Sequence, residues 1–132
     1  MSLATTTNIV SEETMILSDT DGLRLFVCNK RRADLKHSPG EKILLFVSGS
    51  TYPASTSFDL PLKGMSWMDQ LAAQGYDTYL VDVRGYGRSD RLPEMDQPAE
   101  HNPPVVRTPV AVRDSALLWL TYRRAPVRRA ST

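Results

Sequence analysis

The sequence predicts an α/β fold, a β-hairpin followed by a βαβ unit. Three observations carry that reading. An Asp21-Gly22 step separates the apolar run Met15-Ile16-Leu17 from an alternating stretch over residues 23–28, and Asp-Gly between such runs signals a hairpin. Residues 43–47, Ile-Leu-Leu-Phe-Val, form a continuous apolar run, as expected of a strand covered on both faces. A stripe at helical spacing then leads through Gly75 into a second apolar strand, residues 76–83.

The hairpin comes first. Leu23, Leu25 and Val27 alternate with Arg24, Phe26 and Cys28, the period of a strand. Residues 29–40 are charged and end in Ser-Pro-Gly, so they read as a loop. After the 43–47 strand, residues 48–59 are small and polar and also read as a loop. Leu62, Met65, Met68, Leu71 and Ala72 recur at helical spacing, with Pro61 at a first-turn position and Gly75 as a stop. A helix is expected over residues 61–74, with Trp67 beside its packed stripe. Strand, helix and strand in this order make a right-handed parallel crossover.

Residues 91–109 hold five of the nine prolines and are expected to be an irregular excursion. Residues 109–120 are helix-compatible, with Val112, Ala116, Leu117 and Leu120 on one face. Composition is that of an ordinary folded chain, 41% hydrophobic and 23% charged. One cysteine, Cys28, excludes an internal disulfide. Two histidines, His37 and His101, leave little for a metal site, and both fall in expected loops. No apolar run reaches the roughly 18–20 residues a membrane helix needs. The first residues lack the basic and apolar regions of a secretory leader. A cytoplasmic location without membrane contact is therefore expected.

The net charge of +1 conceals two unlike parts. Residues 1–100 carry 10 basic and 14 acidic residues, and residues 101–132 carry six Arg against Asp114 alone. The last sixteen residues, LLWLTYRRAPVRRAST, have four Arg and no acid. Nucleic acid is not the expected partner, because a net charge of +1 gives no global argument for one.

Two loops follow the ends of the two parallel strands, where open α/β sheets place their crevice. They are Ser48-Gly49-Ser50-Thr51 and Asp82-x-Arg84-Gly85-x-Gly87-x-Ser89. With the hairpin and the helix ending Leu71-Ala72-Ala73-Gln74-Gly75-Tyr76-Asp77, they resemble the α/β-hydrolase superfamily. The likeness covers about residues 14–116 and corresponds to the N-terminal half of that sheet. It implies ester or related acyl hydrolysis of a small ester-like substrate, with no cofactor and no metal. It implies that Gly49 gives a side-chain-free step and that Ser50 or Thr51 presents an oxyanion-hole N–H. It gives Gly49, Asp82, Arg84, Gly85, Gly87 and Ser89 loop-shaping roles rather than catalytic ones. In that family the 43–47 strand lies beside the strand carrying the nucleophile.

The chemistry that should follow is missing from the 132 residues. There is no Gly-x-Ser-x-Gly nucleophile elbow, and no histidine follows His101, although the triad order is nucleophile, acid, histidine. The sequence therefore reads as a hydrolase portion truncated before the elbow and without a complete catalytic set. Residues 1–13 are expected to be disordered, 14–116 to be the partial domain, and 117–132 to be an atypical, out-of-frame tail. The competing reading is a non-catalytic binding module whose basic C-terminal arm contacts an acidic partner or nucleic acid. A small flavodoxin-like enzyme is a third, but it has no alternative catalytic constellation.

Overall fold

A computed structural model describes residues 8–36, 38–48 and 52–123. Its architecture is α/β, a four-stranded sheet with three helices. The strands are β1 (Ile9–Leu17), β2 (Arg24–Arg32), β3 (Ile43–Phe46) and β4 (Asp77–Val81), and the helices are α1 (Ala54–Phe58), α2 (Trp67–Ala73) and α3 (Thr108–Arg123). The sheet order is β1-β2-β4-β3. β1 and β2 pair antiparallel, β2 and β4 antiparallel, and β3 and β4 parallel. The hairpin and the crossover are thus where the sequence puts them.

β2 alternates because each of its faces has a layer to pack on. Leu23, Leu25 and Val27 join Tyr79 and Val81 under Leu118 of α3. Phe26 and Cys28 join Phe46 and Leu80 under Ala54 of α1 and Met68 of α2. The sheet is therefore sandwiched, with α3 on one face and α1 and α2 on the other. β4, flanked by β2 and β3, is buried at every position. Its polar Asp77 is accommodated by hydrogen bonds donated by Asn29 Nδ2 at 2.7 Å and Ser38 Oγ at 2.8 Å, as burial of a carboxylate demands.

Several expectations need correction. β1 starts at Ile9, so residues 9–13, expected to be disordered, pair with β2 through Glu13↔Cys28 and their neighbours. β3 is shorter than residues 43–47, and both its faces are packed, Ile43 and Leu45 on the α3 side and Phe46 against α1 and α2. It is the sheet's outer strand, its first three residues are half-buried, and Val47 is exposed. The 48–59 stretch contains α1, a single turn-and-a-half after Pro53. The helix expected over residues 61–74 begins only at Trp67, because Lys63 and Gly64 both take positive φ and turn the chain. Ser66 then caps α2: its Oγ accepts from Asp69 N–H while Asp69 reaches back to the Ser66 N–H, a capping box. Leu62, Met65 and Trp67 are consequently exposed rather than packed.

α3 also differs. It runs to Arg123, through the start of the stretch expected to be atypical from residue 117. Its packed face carries Asp114 and Leu118, with Val112, Ala116 and Leu120 turned outward. The expected face is rotated because a buried carboxylate, not an apolar residue, anchors the helix. The 91–109 excursion is irregular as expected, with two short 3-10 turns at Pro93–Asp96 and Ala99–His101. Among the described residues no helix is long and apolar enough to cross a membrane.

Candidate functional site

The parallel pair β3 and β4 ends at one side of the sheet, and both following loops start there. The 82–89 loop is bolted down residue by residue. Asp82 is fully buried. Its Oδ1 accepts from the Ser55 N–H at 2.9 Å, and its Oδ2 accepts from Ser55 Oγ at 2.9 Å and the Arg88 N–H at 3.1 Å. One carboxylate thus joins the start of α1 to the turn after β4. All three of these bonds come from loop and helix-start groups, so the carboxylate holds the two segments together.

Gly87 lies against this carboxylate. A Cβ there would stand 2.2 Å from Asp82 Oδ2 and 2.9 Å from Pro53 Cβ, with φ at +54°. Only glycine has both the space and the backbone freedom. Gly85, at φ +85°, is pressed by the Met95 side chain instead. Ser89 closes the loop: its Oγ accepts from the Phe26 N–H at 2.7 Å and donates to the Asp82 carbonyl at 2.5 Å. A serine hydroxyl can do both at once, and it stitches the loop to β2.

Arg84 points the other way. It donates from Nη2 to Asp114 Oδ1 at 2.7 Å and Asp19 Oδ1 at 2.5 Å, and from Nη1 to Thr20 Oγ1 at 2.8 Å. The hydrogen bond to Asp114 and, against burial, that to Asp19 raise the Arg84 pKa. The same guanidinium, with Arg113, holds the Asp19 carboxyl down at about 2. Arg84 therefore links the β4 loop, the hairpin turn and α3. Arg88 lies over the Phe26 ring, 4.1 Å from its centroid, and pairs with Glu13 of β1.

A cleft of about 360 Å3 opens at the carboxyl ends of β3 and β4. Its walls come from Val47 and Ser48 after β3, Val83 and Tyr86 after β4, and Ala111 and Val112 of α3. The lining is mostly apolar, and the cleft is about half open to solvent. Ser48, Arg107, Thr108 and Ser115 supply the polar edge.

The sequence-predicted residues divide sharply. Asp82, Arg84, Gly85, Gly87 and Ser89 converge in one braced loop. Gly49, Ser50 and Thr51, the expected oxyanion-side step, lie outside the described residues, as do His37 and residues 124–132. His101 is exposed in the excursion. Sequence reasoning missed Ser55, Asp19 and Asp114. Asp114 had a signal: it is the single acid of the basic C-terminal stretch, on a helix whose other packed positions are apolar. Among the described residues no group of three or more His, Cys, Asp or Glu could hold a metal ion.

No protein-family model matches this chain, and no curated protein matches it. Among solved structures it is similar to a thioesterase domain from the curacin biosynthetic pathway. The identity is 24% and the TM-score 0.41, over 64% of this chain and 25% of that one. The chain thus spans about a quarter of that neighbour's length.

Proposed function

We propose that this chain is the front part of an α/β-fold hydrolase site. It contributes one wall of the pocket and the oxyanion-side loop, with Ser50 or Thr51 as the N–H donor. A serine nucleophile, an acid and a histidine have to come from outside its 132 residues. The substrate is a small ester-like molecule whose acyl portion sits in the apolar cleft, and the compartment is the cytosol. By itself the chain is catalytically incompetent.

The observation that supports this most is the position of the cleft. It lies at the carboxyl ends of two parallel strands, between a loop braced by Asp82 and the loop after β3. Open α/β sheets bind small molecules there.

The test is hydrolysis of a generic aryl ester by the purified chain. No turnover above background is expected. Turnover abolished by a serine-directed inhibitor would overturn the proposal.

A further inference from the structure

Residues 91–106 cross from the 82–89 loop to α3 as a strap with few ties to the body. Among the described residues its backbone hydrogen bonds are local: Met95 N–H to Leu92, Gln97 to Glu94, His101 to Pro98 and Asn102 to Ala99. Its ion pair, Arg91 with Asp96, is internal and exposed. One long side-chain bond reaches outward, from Arg91 Nη1 to the Gly85 carbonyl at 3.4 Å. Leu92 packs on the α3-side core.

The other ties close on a single point, the bare Cα of Gly85. A Cβ there would run into the Met95 thioether, with its methyl carbon 2.8 Å away, and would stand 3.6 Å from Val106 Cγ2. The strap's first turn and its far end therefore meet over one glycine. Gly85 is buried, and its N–H donates to the Asp90 carbonyl at 2.9 Å. Val106 and the adjacent Arg107 line the cleft. Met95 is half-buried, so it is packed against the turn without being sealed from solvent. Met68 is fully buried and Met65 exposed. Met15 packs on the α1–α2 face of the sheet. Met95 is the methionine that ties the strap to the turn.

We propose that Met95 is an oxidation-sensitive latch that holds the strap on the Gly85 turn. Hydrogen peroxide transfers one oxygen to the thioether. The O–O bond breaks, an S=O bond forms, the sulfur gives up two electrons and the peroxide leaves as water. The product is a polar sulfoxide, carrying an extra oxygen where the sulfur meets Gly85. The nearest backbone donor, the Gly85 N–H, is already committed to Asp90, and a polar group without a partner favours water. The side chain leaves the turn, the strap loses its hold, and Val106 shifts with it at the cleft wall. The core stays folded, because Leu92, the Arg84–Asp114 pair and β4 keep their contacts. A methionine sulfoxide reductase reverses the step, two thiols becoming a disulfide as the oxygen departs in water. Every residue involved lies between β4 and the start of α3, and none of this rests on the hydrolase reading.

The test is amide exchange of the purified 132-residue chain before and after mild hydrogen peroxide, with the oxidised methionines located by peptide mass spectrometry. Oxidation of Met95 should speed exchange at Gly85 and Tyr86 at least tenfold and trypsin cleavage after Arg91 and Arg107 by a similar factor. The β4 amides and the circular dichroism spectrum should not change. Met95→Leu keeps the apolar contact without the reactive sulfur, so peroxide should leave its exchange as it was. Met95→Gln, polar and of similar length, should show the fast exchange without peroxide. Reductase treatment should restore the slow exchange of the oxidised wild-type chain. The proposal is overturned if Met95 resists peroxide that oxidises Met65, or if its oxidation leaves Gly85 unchanged. It is equally overturned if Met95→Leu responds as the wild-type chain does, or if β4 loses protection together with the strap. Ester turnover bears on none of these outcomes, so failure of the latch and failure of the hydrolase reading are told apart.

Discussion

Arg84 and Asp114, thirty positions apart, share two levels of contact: the Arg84 guanidinium binds the carboxylate at 2.7 Å and the Arg84 backbone N–H donates to the same carboxylate at 2.9 Å. Asp114 is fully buried and Arg84 nearly so. A buried pair contributes modestly over an apolar substitute, but removing one member strands the other. Asp114→Ala should therefore cost about 3–5 kcal/mol. Asp114→Asn, which keeps an acceptor without the charge, should cost less. Urea unfolding of the three proteins checks the order.

The glycines of the 82–89 loop should not respond alike. At Gly87 a methyl group meets a carboxylate held by three donors and the Pro53 ring. At Gly85 it meets the thioether of Met95, which can swing aside. Gly87→Ala should destabilise by about 2 kcal/mol or more, through backbone strain and a clash. Gly85→Ala should cost less, and pairing it with Met95→Ala should recover the steric part. Thermal melts of the single and double variants read the difference.

Acid should loosen the clasp around Asp19. Its folded pKa, held at about 2 chiefly by Arg84 and then Arg113, lies below the ordinary 3.8. The unfolded chain therefore binds more protons between those values. The contribution to stability is complete above about pH 4 and is lost as pH falls towards 2. Asp19→Asn should flatten that limb of the stability-pH curve: the variant should be less stable by a constant amount above about pH 4, and the difference should shrink as pH falls towards 2.

Much of the fold is legible in residue pattern because strands and turns advertise themselves locally. Residues 15–28 contain both the alternation and the Asp21-Gly22 step that make the hairpin, and the turn closes through Ser18 N–H to the Leu23 carbonyl. What misled was context. The 43–47 run packs on both faces as its pattern predicts, but a run of apolar residues carries no information about how many strands flank it, and among the described residues β3 has β4 alone. Leu62 and Met65 fit a helical stripe, but Lys63-Gly64 turns the chain and Ser66 restarts it. In α3 the apolar residues suggested one face, and the long-range demand of Arg84 selected another.

The candidate site was readable to a different degree. The 82–89 signature located the loop, and its glycines and serine are explained by their immediate neighbours. Ser55 has no distinguishing sequence pattern, because its role comes from a carboxylate 27 positions away.

The stitches around β2 also set an order of events as the chain leaves the ribosome. β1 and β2 are complete once residue 32 has emerged, and their pairing needs only a short closure. The inner edge of β2 has to wait for β4, and Phe26 meets Ser89 across 63 positions. Arg113 reaches Asp19 across 94. Such distant closures come late and slow a chain's folding. The nascent hairpin therefore waits with one long edge open from the emergence of Arg32 until β4, ending at Val81, follows it. Holdase chaperones that recognise apolar extended segments should engage Leu25–Cys28 during that interval and release it when the Asp82–Ser89 turn arrives.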